Sequence, residues 1–398
     1  MKVNKSLLLL GTLVAGLVNV AGACAQETIK LGLSVPLSGA GANWGKGSEW
    51  LCNEATKEIK AAGGAKVGGK TYNFECIAYD NKYNAAEGTK VAQTLLKRDN
   101  VKFISGSLGT APVRALQSLS EREGVLLFTT AWGASLKGPN FPLTFTQMNT
   151  PYEILYPLIQ YVKKANPDVK TVALLNPNDA TGQETEKIAR KAWEEVGVKV
   201  VASDWYERGT TEFQPIATKL AGIKADVVDL AASPPADAGT VFKELKALGW
   251  KGVQVIEVGT GAEGLIATGG DAVDKTYMGA AITFDGPNAT ARQRELNEGM
   301  LKATGESMNA IQVGFYDAVI ATKTAMEKAQ SVDPAVVAKT LPEIKFNSVY
   351  GPAAFGGKQT YGTPQQILVP VIVTQMDGKK LVEVQRIEPA ELKQRLAQ

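Results

Sequence analysis

Three glycine-rich loops carry the residue types in this chain best suited to meet a small molecule. Gly39-Ala-Gly-Ala-Asn-Trp-Gly45 follows an apolar strand and precedes a helical pattern. In that setting main-chain N–H groups at a helix N-terminus can hold a pyrophosphate. Two features count against a dinucleotide. The spacing is Gly-x-Gly-x-x-x-Gly, and no acidic residue closes the second strand where a ribose needs one, Asp80 being roughly twice too far along. Ser107-Leu-Gly-Thr110 follows the third strand and leads into a helix near Ala111-Pro112. Proline favours a helix start, and the free N–H groups there attract an anion such as a carboxylate; a plain capping turn has the same sequence. Thr129-Thr-Ala-Trp-Gly133 repeats that geometry after the fourth strand. Trp44 and Trp132 stand on these loops among glycines, where an aromatic is hard to explain as core. They read as walls of a ligand site, with packing against a loop as the alternative. Trp193, on an apolar helix stripe, reads as core. No acid pair, activated nucleophile or metal-spaced cluster stands out. With no histidine in the chain, a His-based triad is impossible and the commonest metal ligand is missing. No catalytic residue, metal or cofactor is expected.

The elements that must position these loops alternate regularly. The strand Thr28–Val35 leads to a helix with Leu51, Ala55 and Ile59 at helical spacing, then to the strand Tyr72–Tyr79. A helix marked by Ala85, Gly88, Ala92 and Leu95 precedes the strand Val101–Ile104, and one marked by Ala111, Ala115 and Leu119 precedes Val125–Phe128. The pattern then restarts with helix, strand and helix around Ile154–Val162, Thr171–Leu175 and Ile188–Val196. Strands at Val198–Ser203, Asp226–Leu230, Val253–Val258 and Tyr277–Phe284 follow, and Gly351–Ile387 is β-rich with a hairpin turn at Met376-Asp-Gly-Lys. Such alternation is the signature of βαβ units in a parallel sheet. The restart predicts an α/β protein of two doubly wound parallel-sheet lobes, and the loops above leave the C-terminal ends of strands, where open α/β sheets bind ligands.

The N-terminus adds a compartment. Lys2 and Lys5, an apolar run from Leu7 to Val20 and a cluster of small residues have the order of a secretory signal over residues 1–25. The run is shorter than the roughly 20 residues that span a bilayer. A cut before Gln26 and a cut before Cys24 are both open; the second would leave a cysteine that can be lipidated. The remaining chain, about 370 residues, suits two lobes rather than one core. A net charge of +3, with no long Lys/Arg run, points away from nucleic acid. Cys52 on the first helix and Cys76 on the second strand lie on elements that pack together, and an oxidising compartment would allow a disulfide; two buried free thiols are the alternative.

The order and spacing of several short stretches resemble the type I periplasmic binding proteins of the branched-chain amino-acid (leucine/isoleucine/valine) ABC-transporter class. They are Ile29-Lys-Leu-Gly-Leu-Ser-Val-Pro-Leu-Ser-Gly39, Asp80-Asn, Phe103-Ile-Ser-Gly-Ser107, Gly124-Val-Leu-Leu-Phe-Thr-Thr130, Gly314-Phe-Tyr-Asp-Ala318 and Asp377-Gly-Lys379. The resemblance covers the whole mature chain. It implies two lobes joined by a three-segment hinge near 147–151, 283–287 and 352–357, giving one lobe of 27–148 plus 286–353 and another of 149–285 plus 354–398. It implies a ligand held by Leu108, Gly109 and Thr110, by Ala131, Trp132 and Gly133, under Trp44, with Thr181, Ser233 and Glu257 added by the second lobe. It also implies a monomeric periplasmic receptor, not an enzyme, that presents an amino acid or related small organic acid to ABC permease subunits in the inner membrane. A ligand sensor serving a signalling partner is the alternative, with a hydrolase or dehydrogenase third. The chain departs from the pattern at several points. Gly109 stands where a serine is common, Gly133 where a threonine supplies a hydroxyl, and Thr181 and Ser233 where tyrosine is common. The resemblance keeps an amino acid as the first choice, while fewer hydroxyls and an added indole, read from the residues, favour an aromatic or planar acid, close behind it.

Overall fold

The structure, a computed structural model, describes residues 27–398. The expected signal segment, its cut site and Cys24 lie outside the described residues. The chain first lays down β1 (Glu27–Val35), β2 (Ala65–Val67), β3 (Lys70–Asp80), β4 (Phe103–Ser107), β5 (Leu126–Thr129) and β6 (Thr144–Thr146). It then lays down β7 (Thr171–Pro177), β8 (Lys199–Tyr206), β9 (Val227–Asp229), β10 (Val253–Ile256) and β11 (Tyr277–Met278). A return passage gives β12 (Lys345–Ser348), β13 (Gly351–Gly356) and β14 (Gln366–Leu368), and a last one gives β15 (Val371–Asp377) and β16 (Lys380–Ile387). One sheet has the order β12-β13-β14-β6-β5-β4-β1-β3-β2, the other β16-β15-β11-β10-β9-β7-β8. Their centres are parallel: β1 lies between β3 and β4, with Leu31 opposite Cys76 on one side and Phe103 on the other. This is the α/β architecture of two parallel-sheet lobes.

The strands form because they are covered on both faces. Leu31, Leu33 and Val35 of β1 and every residue of β4 are buried, as the apolar runs of a parallel sheet require. Helix Ser48–Ala61 buries Leu51, Cys52, Ala55 and Ile59 along one stripe, and a disulfide joins its Cys52 to Cys76 of β3. Closing a loop of that length stabilises the fold by about 3–4 kcal/mol in the chain-entropy account. Helix Ala310–Ala329 is buried on nearly every side and contacts helix Ser48–Ala61, β2, β4 and β12, forming the spine of the first lobe. Among the described residues no helix is long and apolar enough to cross a membrane.

The topology corrects the boundary expected near 352–357. β13 and β14 both pair within the first sheet, β14 next to β6 at Gln366 and Thr146. The chain therefore reaches the second sheet only at Val371, after Pro370. Helix Ala390–Ala397 then packs back onto β13, so 354–368 and the last helix sit with the first lobe. The strand expected over Tyr277–Phe284 pairs only at Tyr277 and Met278, because Ala280 takes a left-handed φ of 46° that turns the chain out of the ladder. At the hinge, Asn149 Nδ2 donates to the carbonyls of Val369 and Pro370, tying two crossing segments together.

Candidate functional site

The loops at the C-terminal ends of β1, β3, β4 and β5 face those at the C-terminal ends of β7, β8, β9 and β10. Between them lies a cavity lined by Trp44, Tyr83, Leu108, Gly109, Thr130, Ala131, Trp132 and Ile311 from the first lobe and by Thr181, Ala232 and Val258 from the second. Its volume in this conformation is about 20 Å³, close to what one water needs. Trp44 also lines a wider interlobe groove of about 810 Å³ and forms the partition between the two spaces.

The first-lobe wall is fixed by polar anchors beneath it. Buried Asn81, after β3, donates through Nδ2 to the carbonyls of Ser34 and Leu108 at 2.9 and 3.0 Å and accepts from the Tyr83 N–H through Oδ1. That bond holds Tyr83 at a left-handed φ of 57°, a conformation a bulky residue keeps only under such constraint. The Tyr83 ring meets Trp44 with centroids 5.7 Å apart and planes tilted by 46°. Burial pushes the Tyr83 hydroxyl up from its ordinary pKa, so it stays a neutral hydroxyl, 3.1 Å from Thr181 Oγ1.

The glycines that depart from the family pattern have a structural cause. Gly109 sits at φ 92°, a conformation L side chains rarely adopt, where a Cβ would also come within 2.8 Å of Pro112. A Cβ on Gly133 would lie 2.3 Å from Thr110 Cγ2, and the Thr110 hydroxyl instead accepts from the Gly133 N–H at 3.1 Å and from Thr181 Oγ1 at 2.8 Å. Thr110 thus occupies the space that a threonine at 133 would need. The Ala131 N–H is likewise engaged, by Thr129 Oγ1 at 2.9 Å, so two main-chain donors of this loop bond within the protein.

Of the residues expected at the site, Trp44, Leu108, Gly109, Ala131, Trp132 and Thr181 line the cavity, and Thr110 and Gly133 adjoin it through the bonds just described. Ser233 and Glu257 are buried but are not among its lining residues. Burial, and then the neighbouring Asp229, push the Glu257 carboxyl well above the usual carboxylate range. Asp229 is raised too, by burial, although Trp193 Nε1 donates to it at 2.7 Å. Both Glu257 carboxyl oxygens are buried without a hydrogen-bond partner, and burial favours the neutral form of such a group. The sequence reading missed Tyr83, Ala232, Ile311 and, beside the rings, Arg208; Thr130 lies within the expected Thr129–Gly133 loop and Val258 directly follows the expected Glu257. All but Ile311 fall within a few residues past a strand end, Arg208 after β8 among them; that position was the available signal.

Arg208 crosses from the second lobe to the first. Its Nε donates to Asp179 Oδ2 at 2.6 Å, while Asp179 Oδ1 caps helix Ala180–Glu195 through the Gly182 N–H. The guanidinium carbon lies 4.5 Å from the centre of the Tyr83 ring and 5.6 Å from that of Trp44. Among the lining side chains the polar atoms without a partner in the protein are donors, Trp44 Nε1 and Trp132 Nε1, and next to them Arg208 Nη1 and Nη2 are likewise buried and unpartnered. The arrangement can hold a flat apolar body and accept hydrogen-bond acceptors; no nucleophile with a base stands beside it.

The same architecture and the same sequence pattern recur in proteins already described. Residues 28–380 match the family model described as periplasmic binding protein. A relative in Pseudomonas aeruginosa, named leucine-, isoleucine-, valine-, threonine-, and alanine-binding protein, is 25% identical over 340 residues, covering 84% of this chain and 87% of the relative. Among solved structures, the branched-chain amino acid transporter substrate binding protein LivJ of Streptococcus pneumoniae, in complex with isoleucine, superposes with a TM-score of 0.76 at 19% identity, over 91% of this chain and 100% of that one. A solute binding protein of an ABC transporter from R. palustris, in complex with benzoate, gives 0.75 at 18% identity, over 91% and 97%. With its two-sheet fold and a family match along nearly its whole described length, this chain belongs to the periplasmic binding protein family, as a binding protein rather than an enzyme.

Proposed function

We propose that the protein is the periplasmic solute receptor of an ABC importer and that it closes on a small organic acid with a flat or aromatic body. The observation that carries this reading is one cavity lined from both lobes, walled by the indoles of Trp44 and Trp132. A receptor of this kind encloses its solute between lobes, and desolvation on closure strengthens every polar contact inside. The closed form is what a permease would recognise, so binding biases the lobes toward the state that delivers the solute. The solved relative in complex with benzoate supports the flat ligand. The relative named for leucine, isoleucine, valine, threonine and alanine supports a second reading, an aliphatic amino acid in the same cleft.

A calorimetric panel of leucine, valine, phenylalanine and benzoate, run on the wild type and on Trp132→Ala, separates the two. Benzoate or phenylalanine should bind with a change in intrinsic fluorescence, and Trp132→Ala should weaken that binding by about 1–3 kcal/mol, the worth of a buried indole face. Tight leucine and valine binding that ignores Trp132→Ala would refute the two-indole site, and conversion of the bound solute would refute a receptor.

A further inference from the structure

We propose that Arg208 is the counter-charge for a carboxylate on the solute and the residue that sets the preference for acids over uncharged analogues. The inference rests on the receptor reading above and adds a specificity residue to it. Arg208 is buried to the extent that its side chain keeps only 10% of its free surface. One of its five N–H groups meets Asp179, and the four on Nη1 and Nη2 meet nothing in the protein. A guanidinium cannot shed its proton to escape this. Burial opposes the charge, but the Asp179 carboxylate on its Nε favours the protonated form. The faces of Tyr83 and Trp44 stabilise the cation without accepting those four hydrogens.

An acceptor with two oxygens in one plane is the complement of such a fork, and a carboxylate has that geometry. The surrounding groups agree. The unpartnered side-chain polar atoms of the cavity wall itself are the indole N–H groups, which also donate. Arg208 stands outside that lining, against the rings of two wall residues, Trp44 and Tyr83. Glu257, outside the lining as Arg208 is, has two unpartnered carboxyl oxygens, but burial and then Asp229 push it toward its neutral form. Asp179 offers one oxygen to Arg208 and spends the other on its helix cap, so it leaves the fork free. Tyr206 Oη donates to Asp237 at 2.9 Å, which occupies the other acid in the neighbourhood. The preferred solute is thus one that carries a carboxylate for this fork.

The test pairs each acid with its amide: benzoate with benzamide, leucine with leucinamide, measured calorimetrically on the wild type, Arg208→Lys and Arg208→Met, with thermal unfolding to confirm that each variant is folded. The wild type should bind benzoate far better than benzamide. Arg208→Met should lose roughly a hundredfold in benzoate affinity while benzamide changes little, so the acid preference collapses. Arg208→Lys should keep the sign of the preference at reduced strength, since it keeps the charge and loses the fork. If leucine is the acid that binds, the same collapse on the leucine pair supports Arg208 and corrects only the ligand body. An acid preference that survives Arg208→Met, or equal losses for acid and amide as a simple interlobe clamp would give, overturns the role of Arg208 and leaves the receptor intact. Binding of no carboxylate in the panel by the wild type overturns both.

Discussion

At the scale of single residues, the Thr110 side chain fills the space beside Gly133 and ties its loop down. Its Oγ1 accepts from the Gly133 N–H and from Thr181 Oγ1, so one hydroxyl orders the Trp132 loop and touches the second lobe. Thr110→Val keeps the shape and removes the acceptor, leaving a buried N–H unmet at a cost of about 1–3 kcal/mol. We expect solute affinity to fall by roughly tenfold or more, while Thr110→Ser, which keeps the acceptor, stays close to the wild type; titration calorimetry decides it. An unchanged affinity in Thr110→Val would show that the Trp132 loop is ordered by other contacts. The sequence displayed Gly133 as a lost hydroxyl but not the one that replaces it, because the exchange is made in space between residues 23 apart. Arg208 was hidden for a related reason: alone in a polar stretch it looks like any solvated arginine, and only the packing of Tyr83 and Trp44 against it makes it a buried one.

At the scale of elements, the spine helix Ala310–Ala329 carries a titratable group into the core. Asp317 is fully buried and accepts from Ser348 Oγ at 2.5 Å and from the Val349 N–H at 2.9 Å, which joins the helix to the turn after β12. Burial pushes its pKa up to about 7, against the two hydrogen bonds that favour the charged form. An acid raised on folding binds more protons in the native state than in the unfolded one between about pH 4 and pH 7. Stability is therefore highest below the unfolded pKa and is lost as pH rises toward 7. The shift corresponds to a loss on the order of 4 kcal/mol. Asp317→Asn keeps one acceptor and cannot ionise. The wild type's unfolding free energy in urea, relative to this variant, should fall by a few kcal/mol between pH 4.5 and 8; parallel curves would show that Asp317 does not titrate in that range. Glu257 and Asp229, also raised by burial, act in the same direction in both proteins and cancel in the comparison.

Most of these elements were legible. The alternation of strand and helix located the parallel strands that end at the cleft, and with them the loops carrying Trp44, Thr110 and Trp132. The last passage between lobes, which the family resemblance placed near 352–357, falls instead between Leu368 and Val371, inside a stretch whose residues read only as β-rich. There β14 and β15 lie in two sheets, broken at Pro370, which cannot donate to a ladder.

At the scale of the whole molecule, closure has its own contacts outside the cavity. Glu184, on helix Ala180–Glu195 of the second lobe, accepts from the Ser135 N–H at 2.9 Å and the Ser135 hydroxyl at 2.7 Å, and from Arg114 Nη2 at 2.9 Å. Both partners belong to the first lobe, and Ser135 lies just past the Trp132 loop. The Arg114 side chain is half exposed, so that ion pair adds at most about 1 kcal/mol. The bonds from Ser135 to a charged acceptor add more, about 1.5–3 kcal/mol at the upper range for such bonds. A contact formed only when the lobes meet sets the fraction of molecules that are closed, and apparent affinity scales with that fraction. Glu184→Ala should then weaken every solute by the same factor, about tenfold, and mainly by faster release. Glu184→Gln, which keeps an acceptor for Ser135, should lose less. The rank order of solutes should not move, because Glu184 does not line the cavity. Small-angle scattering with saturating solute should show a less complete compaction in Glu184→Ala than in the wild type. A variant that releases solute at the wild-type rate would place the closing energy elsewhere, in the Thr110–Thr181 bond and in Arg208 against the rings. A variant that changes which solute binds best would mean that the latch shapes the cavity after all.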